Sequence, residues 1–173
     1  MGLEAFVSIK GKIQGQFKGE GTNDKRKNKW MAVVGFAMGL DSPLDLASGH
    51  PSGRRQWRVV KIVKEWGAAS PQLLQACATN EVLSEVVIEF LKTNAEGEEY
   101  VYQTVTLTNS TIAHISRFTK NRGEAGSNSS SGDSSMVDIT ILDELEEVEF
   151  SFQKIVVEDV NGGTSFADDW LTG

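Results

Sequence analysis

Apolar and polar residues alternate from Trp57 to Lys64, with Trp57, Val59, Lys61 and Val63 on one side and Arg58, Val60, Ile62 and Lys64 on the other. A period of two sends successive side chains to opposite faces of an extended chain, so a strand is predicted over residues 54–65. The period then lengthens. Ser70 is the expected N-cap, its hydroxyl accepting from a free amide of the first turn. Pro71 follows at the first helical position, where its missing N–H costs nothing. Leu73 and Leu74, with Cys77 and Ala78 four residues on, form one apolar face of a short helix over residues 70–80. No other segment reads convincingly as a helix. A lone helix in an otherwise β-patterned chain plugs or braces a barrel.

The remaining pattern is that of strands. Residues 5–10 alternate weakly. Residues 30–40 form a long apolar run containing Gly35 and Gly39, which mark a bulge or bend. Val86, Val87 and Ile88 favour a strand over residues 82–91. A turn at residues 94–97 leads to the cleanest alternation in the chain, with Tyr100, Tyr102, Thr104, Thr106 and Thr108 on one face and Val101, Val105 and Leu107 on the other. Residues 111–118 continue as another strand, and Val137, Ile139 and Ile141 alternate in a further one. After a break at residues 143–147, Val148, Phe150 and Phe152 lead a last long strand. Residues 18–29, 41–53 and 121–135 read as flexible loops, and 161–173 as a Gly- and Asp-rich tail. The sum is an all-β chain: a small antiparallel β-barrel of about eight strands with one short α-helix, in a single domain over residues 1–173. No repeat of fixed period is present.

Residues 30–40 and 82–91 are more apolar than a strand with one wet face requires. Full burial within one subunit explains this. Cover by a neighbouring subunit explains it too, and also protects exposed strand edges.

Composition narrows the class. A chain of 173 residues with 39% hydrophobic and 24% charged residues suits an ordinary globular domain. No apolar run approaches the ~20 residues of a membrane span. The first twelve residues lack the basic and apolar regions of a signal peptide, so synthesis in the cytoplasm is expected, and any export without a cleaved signal. One cysteine permits no internal disulfide. The net charge of −7 hides a division: residues 1–80 hold 12 Lys and Arg against 6 Asp and Glu, and residues 81–173 hold 5 against 18. A basic half and an acidic half can give one molecule a complementary head and tail.

Candidate chemistry is sparse. A triad built on Cys77 and His114 would need an activating environment, and the apolar neighbours of Cys77 raise a thiol's pKa. The histidines, His50 and His114, and the cysteine do not form a metal-ligand spacing. The glycines of residues 11–21, GKIQGQFKGEG, match no phosphate-loop pattern and precede no helix. The acidic run DELEEVE, residues 143–149, lacks the alternation of a calcium loop. The basic run KRKNK, residues 25–29, sits in a chain of pI about 4.9, which repels nucleic acid at long range. No catalytic residue, cofactor, metal, nucleic-acid partner or membrane insertion is expected.

One resemblance spans most of the chain. The run KEWGAASPQLLQAC is similar to a signature of the Hcp family, the tube protein of the bacterial type VI secretion system. FVSIKGKIQGQFKGE resembles the family's opening strand and turn. KNKWMAVVGFAMG resembles its second long strand, and VEFSFQKIVVEDVNGGTSFADDW its closing strand and terminal Asp-Asp-Trp. The resemblance implies a homohexameric ring and a hollow tube of stacked rings. It also implies a VgrG-type spike at the tip, a contractile sheath that expels the tube, and small effector proteins carried in the lumen. By the same resemblance the loop at residues 41–53, with Asp41, Pro43 and His50, reaches toward the next ring. The charge division adds Lys25, Arg26 and Lys27 on one side and Asp143, Glu144, Glu146 and Glu147 on the other as ring-stacking candidates. Ala37 is the candidate for the lumen wall. The alternative is a monomeric or dimeric ligand-binding or adhesin-like β-barrel module.

Overall fold

A computed structural model describes residues 4–20, 28–119 and 144–171. The first half carries β1 (Glu4–Gly11), β2 (Gly15–Gln16), β3 (Met31–Val33), β4 (Gly35–Ala37), β5 (Leu40–Asp41), β6 (Gln56–Trp57) and β7 (Val60–Glu65). Helix α1 (Ser70–Thr79) follows. The second half carries β8 (Leu83–Thr93), β9 (Glu99–Thr119), β10 (Glu144–Ser151), β11 (Lys154–Asp159) and β12 (Thr164–Asp169). The expected all-β class holds. Among the described residues there are twelve strands, not the predicted eight: residues 30–40 break into β3, β4 and the start of β5, residues 54–65 into β6 and β7, the last long strand into β10 and β11, and β2 and β12 are additional. The breaks fall beside Gly35 and Gly39. A Cβ at Gly35 would meet Val63 at 3.2 Å, so close approach to β7 fixes that glycine. Val137, Ile139 and Ile141 lie outside the described residues.

All strand pairs are antiparallel. One layer runs β2–β1–β8–β9–β11–β12, and the second half of β9 leads on through β10 and β7 to β4. The two predicted strands at residues 99–109 and 111–118 are one strand of 21 residues. It serves both layers by changing partners at Asn109, whose φ of 49° is a left-handed conformation that asparagine tolerates. The wall of the barrel does not close through one continuous ladder. β3 pairs with β1 and β4 with β7, and Val34 bridges the two by donating its N–H to the Val63 carbonyl at 2.8 Å.

Inward-facing residues of both layers, including Val7, Ile9, Met31, Ile62, Ile88, Leu107, Phe150 and Ile155, form one hydrophobic cluster. Most of the apolar excess of residues 30–40 and 82–91 is therefore spent inside the subunit. Of their large apolar side chains only Met38 and Leu40 stay substantially in water. The helix enters this cluster with Ala69, Leu73 and Ala76. Leu74 and Ala78 are exposed and Cys77 half-buried, so the apolar face lies one position off the predicted one. Burying Leu73 completely contributes about 2 kcal/mol.

Ser70 is not the N-cap. That position is Ala69, with helical φ and ψ and no side-chain cap; Ser70 and Pro71 are the first two helical residues. Tertiary structure replaces the local cap. Glu20 accepts the Ala69 N–H at 2.8 Å, bringing a carboxylate to the positive end of the helix. Gly67 leaves room for it, since a Cβ there would collide with the Glu20 carboxylate. The Ser70 hydroxyl instead donates to Glu146 Oε1 at 2.7 Å and accepts from the Gly67 N–H at 3.0 Å.

These contacts belong to a buried ionic cluster. Alternation puts Lys64 on the same inward face as Val60 and Ile62, and it is fully buried. Its ammonium lies 2.9 Å from Glu20 Oε2 and 2.8 Å from Glu146 Oε1, and donates to the Glu65 carbonyl at 2.6 Å. Glu146 is also fully buried, and its register places it opposite Lys64 on one side and Arg117 on the other. Arg117 stacks over Trp66 at 4.1 Å and sits 3.4 Å from Glu146 Oε2. Removing one partner of such a cluster strands the others without a countercharge. Lys64→Met is expected to lower stability by about 3–5 kcal/mol in urea unfolding. Lys64→Met/Glu146→Leu should be more stable than Lys64→Met alone, and a double variant weaker than the single would show that charge compensation is not the cause.

Candidate assembly interface

Three surface features combine fixed backbone with exposed apolar side chains. The first is residues 42–55, between β5 and β6. Leu40 pairs with Trp57 and Asp41 with Gln56, and Arg58 closes the base by donating to Asp41 Oδ2 at 2.8 Å. Leu44 and Pro51 form an isolated bridge, and the Pro43 carbonyl accepts from Ser52 N–H at 2.8 Å. Asp45 accepts from Ala47 N–H at 3.0 Å and the Ser48 hydroxyl at 2.8 Å. Those two bonds hold its carboxyl below the usual range. The predicted flexible loop is thus an internally hydrogen-bonded arm. Every residue from 44 to 54 is exposed, His50 among them, and Leu46 is wholly in water.

The second feature is the β1–β2 turn. Glu81 is buried, and its Oε1 accepts the N–H groups of Ile13 and Gln14, both at 2.8 Å. Its Oε2 accepts from Gln14 Nε2 at 2.8 Å. Burial pushes this carboxyl's pKa up, but the bonds from Gln14 and Ile13 outweigh it and the net shift is down. Gly11 and Gly15 of GKIQGQFKGEG serve this turn. Gly15 has φ 71°, and a Cβ at Gly11 would strike the Glu81 carboxylate. The turn is rigid while Ile13 at its tip is 80% exposed.

The third feature corrects the predicted tail, because residues 164–169 form strand β12 on β11. Asp168 holds it to the arm's base: Arg55 forms an ion pair with its carboxylate, and Trp57 Nε1 donates to Oδ2 at 2.7 Å. Trp57 lies edge-on to Phe152 at 5.6 Å and tilted against Phe166 at 6.4 Å. A cavity of about 40 Å³ is lined by Arg54, Arg55, Trp57, Asp168 and Trp170. Phe166, Trp170 and Leu171 remain about half exposed or more.

The predicted acidic patch is dispersed. Residues 144–147 are strand, not turn. Glu146 points inward to Lys64 and cannot contact another ring. Glu147 is half-buried against Lys61 at 3.1 Å, and this bond raises the Lys61 pKa. Only Glu144 stands exposed. Lys25, Arg26, Lys27 and Asp143 lie outside the described residues. Ala37 is exposed at the end of β4, opposite Lys61. Sequence reading missed Glu81, Asp168 and the Lys64–Glu146–Arg117 row. The row had one signal, a lysine in phase with Val60 and Ile62. Cys77 Sγ lies 3.9 Å from the Ile112 carbonyl, and His114 is exposed on the neighbouring strand. No cluster of three or more His, Cys, Asp or Glu able to hold a metal occurs among the described residues.

Asp168 gives this margin a pH dependence. Arg55, then Trp57, hold its pKa at about 2, below its value in an unfolded chain, about 3.9. The stabilisation is therefore complete above pH 4 and lost as pH falls toward 2. Hydrogen exchange of β12 amides should quicken between pH 4 and 2, relative to β8 and after correction for the intrinsic rate. In Asp168→Asn that step should be absent; a step of equal size there would assign it to another group.

Residues 6–158 match the family described as type VI secretion system effector, Hcp. The chain is 32% identical to the "Major exported protein" of Pseudomonas aeruginosa strain PAO1, over 98% of this chain and 96% of that protein. A solved structure described as Hcp protein has a TM-score of 0.83 at 25% identity, covering 99% of this chain and 100% of its own. A doubly mutated Hcp1 from E. coli EAEC 042 has a TM-score of 0.79 at 21% identity, covering 98% and 99%, a likeness of fold. Hcp proteins are structural, secreted tube proteins and not enzymes. The chain belongs to the Hcp family of the type VI secretion system.

Proposed function

We propose that six copies of this chain close into a ring and that rings stack into a hollow tube. A contractile sheath drives the tube out behind a VgrG-type spike, and small effector proteins travel in its lumen. The tube leaves the cell in which it is made. Family membership supports this reading, as does export of the Pseudomonas relative, stated in its name.

The observation that carries it is the arm at residues 42–55. Leu44 is 59% exposed and Leu46 wholly so, on a backbone ordered by its own hydrogen bonds. An isolated subunit gains nothing by fixing apolar side chains in water. A contact with another copy recovers about 25 cal/mol for each Å² of apolar surface covered. The arm, with Asp41, Pro43 and His50, is assigned to the ring-to-ring contact. Ala37, small and exposed, is assigned to the lumen wall. Side-by-side contacts within the ring should be the larger and more apolar class, so that rings persist when tubes come apart.

Light scattering after size exclusion should give a mass of six subunits at micromolar protein; one or two subunits would favour a binding module. Leu44→Asp/Leu46→Asp should keep the six-subunit mass and lose most of the sedimenting tube. Loss of the six-subunit species in that variant would place the arm inside the ring contact instead.

A further inference from the structure

The two margins of the β2–β1–β8–β9–β11–β12 layer are opposite in charge and level with each other. Cross-strand partners form one row: Gln16, Lys10, Glu85, Thr108, Lys154, Asp169. Five inter-strand spacings make this row about 24 Å wide. β1 and β12 run in the same direction, since four antiparallel steps separate no polarity. The chain beyond Lys10 therefore leaves the row at the same end as the chain beyond Asp169. On one margin that chain is Lys12 and Ile13; on the other it is Trp170 and Leu171.

The β1–β2 margin is basic. Lys10, Lys12 and Lys18 are exposed and form no ion pair among the described residues; Glu85 stands opposite Lys10 on β8, and Glu81 is buried under the turn. The β11–β12 margin is acidic. Glu158, Asp159 and Asp169 likewise have no cation partner among the described residues; Asp159 and Asp169 cap local turns at Gly162 and Leu171. Each margin carries exposed apolar side chains beside its charges: Ile13 on one, Phe166, Trp170 and Leu171 on the other. Both are pre-organised, one by Glu81 and one by the Arg55–Asp168–Trp57 tie, so little ordering is required on contact.

We propose that the side-by-side contact of the ring is made by the β1–β2 turn of one copy on the β12 margin of the next. Lys10, Lys12 and Ile13 face Asp169, Trp170 and Leu171. This rests on the ring reading above and names its surfaces. The contact is heterologous, and such contacts build either rings or open helices. Because the two margins lie at one level of the sheet, each added copy brings little rise, which favours closure.

Two variants, each altered on one margin at exposed or half-exposed positions, test the contact. Lys12→Glu/Ile13→Glu opposes the acidic margin; Asp169→Ala/Trp170→Ala truncates it. With far-ultraviolet circular dichroism unchanged, each variant alone should run as one subunit where the unaltered chain runs as six. Mixed in equal amounts they retain one intact pair of surfaces, so they should form a 1:1 dimer and nothing larger. A six-subunit mass for either variant, or a mixture that stays monomeric, overturns the contact while leaving the ring in place. An unaltered chain that is itself monomeric removes the ring reading and this contact together.

Discussion

The buried ammonium of Lys64 holds the two layers and the helix in one arrangement. It joins β7 to Glu146 on β10, to Glu20 before β3, and through Ser70 to the first turn of α1. An unpaired lysine in this position would be costly, as would either carboxylate alone. The cluster as built belongs to one register: sliding β10 by one residue would turn Glu146 away from both Lys64 and Arg117 and put Leu145 or Glu147 opposite Lys64 instead. Hydrophobic burial supplies most of the stabilisation, but the ionic row distinguishes this packing from its neighbours.

The same device recurs on the surface at smaller scale. Glu81 fixes the β1–β2 turn and Asp168 fixes β12 against the arm's base. In each case one carboxylate accepts from backbone or side-chain donors, and apolar side chains are left outside beside charged ones. Rigid presentation of exposed isoleucine, leucine and tryptophan suits the proposed contact with another copy. It fits a tube protein, whose work is done by surfaces.

How much of this was legible in the sequence follows from the range of each interaction. Period-two alternation is local, so residues 54–65 and 99–109 were readable as strands and the fold class with them. The Ser70 cap was misplaced because Glu20, fifty residues earlier, supplies the acceptor and frees the hydroxyl for Glu146. The acidic run reads as a break because its composition is polar; pairing with Lys64 and Arg117 makes residues 144–149 part of a strand. The C-terminal residues read as a tail because glycine and aspartate predominate, yet Arg55 and Trp57 dock Asp168 and give β12 its place. Charge segregation between the halves of the chain was visible from the start. Its meaning was not, since only the strand order puts Lys10 and Asp169 on opposite margins of one row.

The proposed function rests on copies meeting edge to edge. Two-dimensional averages of vitrified protein at micromolar concentration test this most directly. Six-fold annuli with an open centre are the predicted result. A field of separate particles the size of one 18.9 kDa subunit would contradict it.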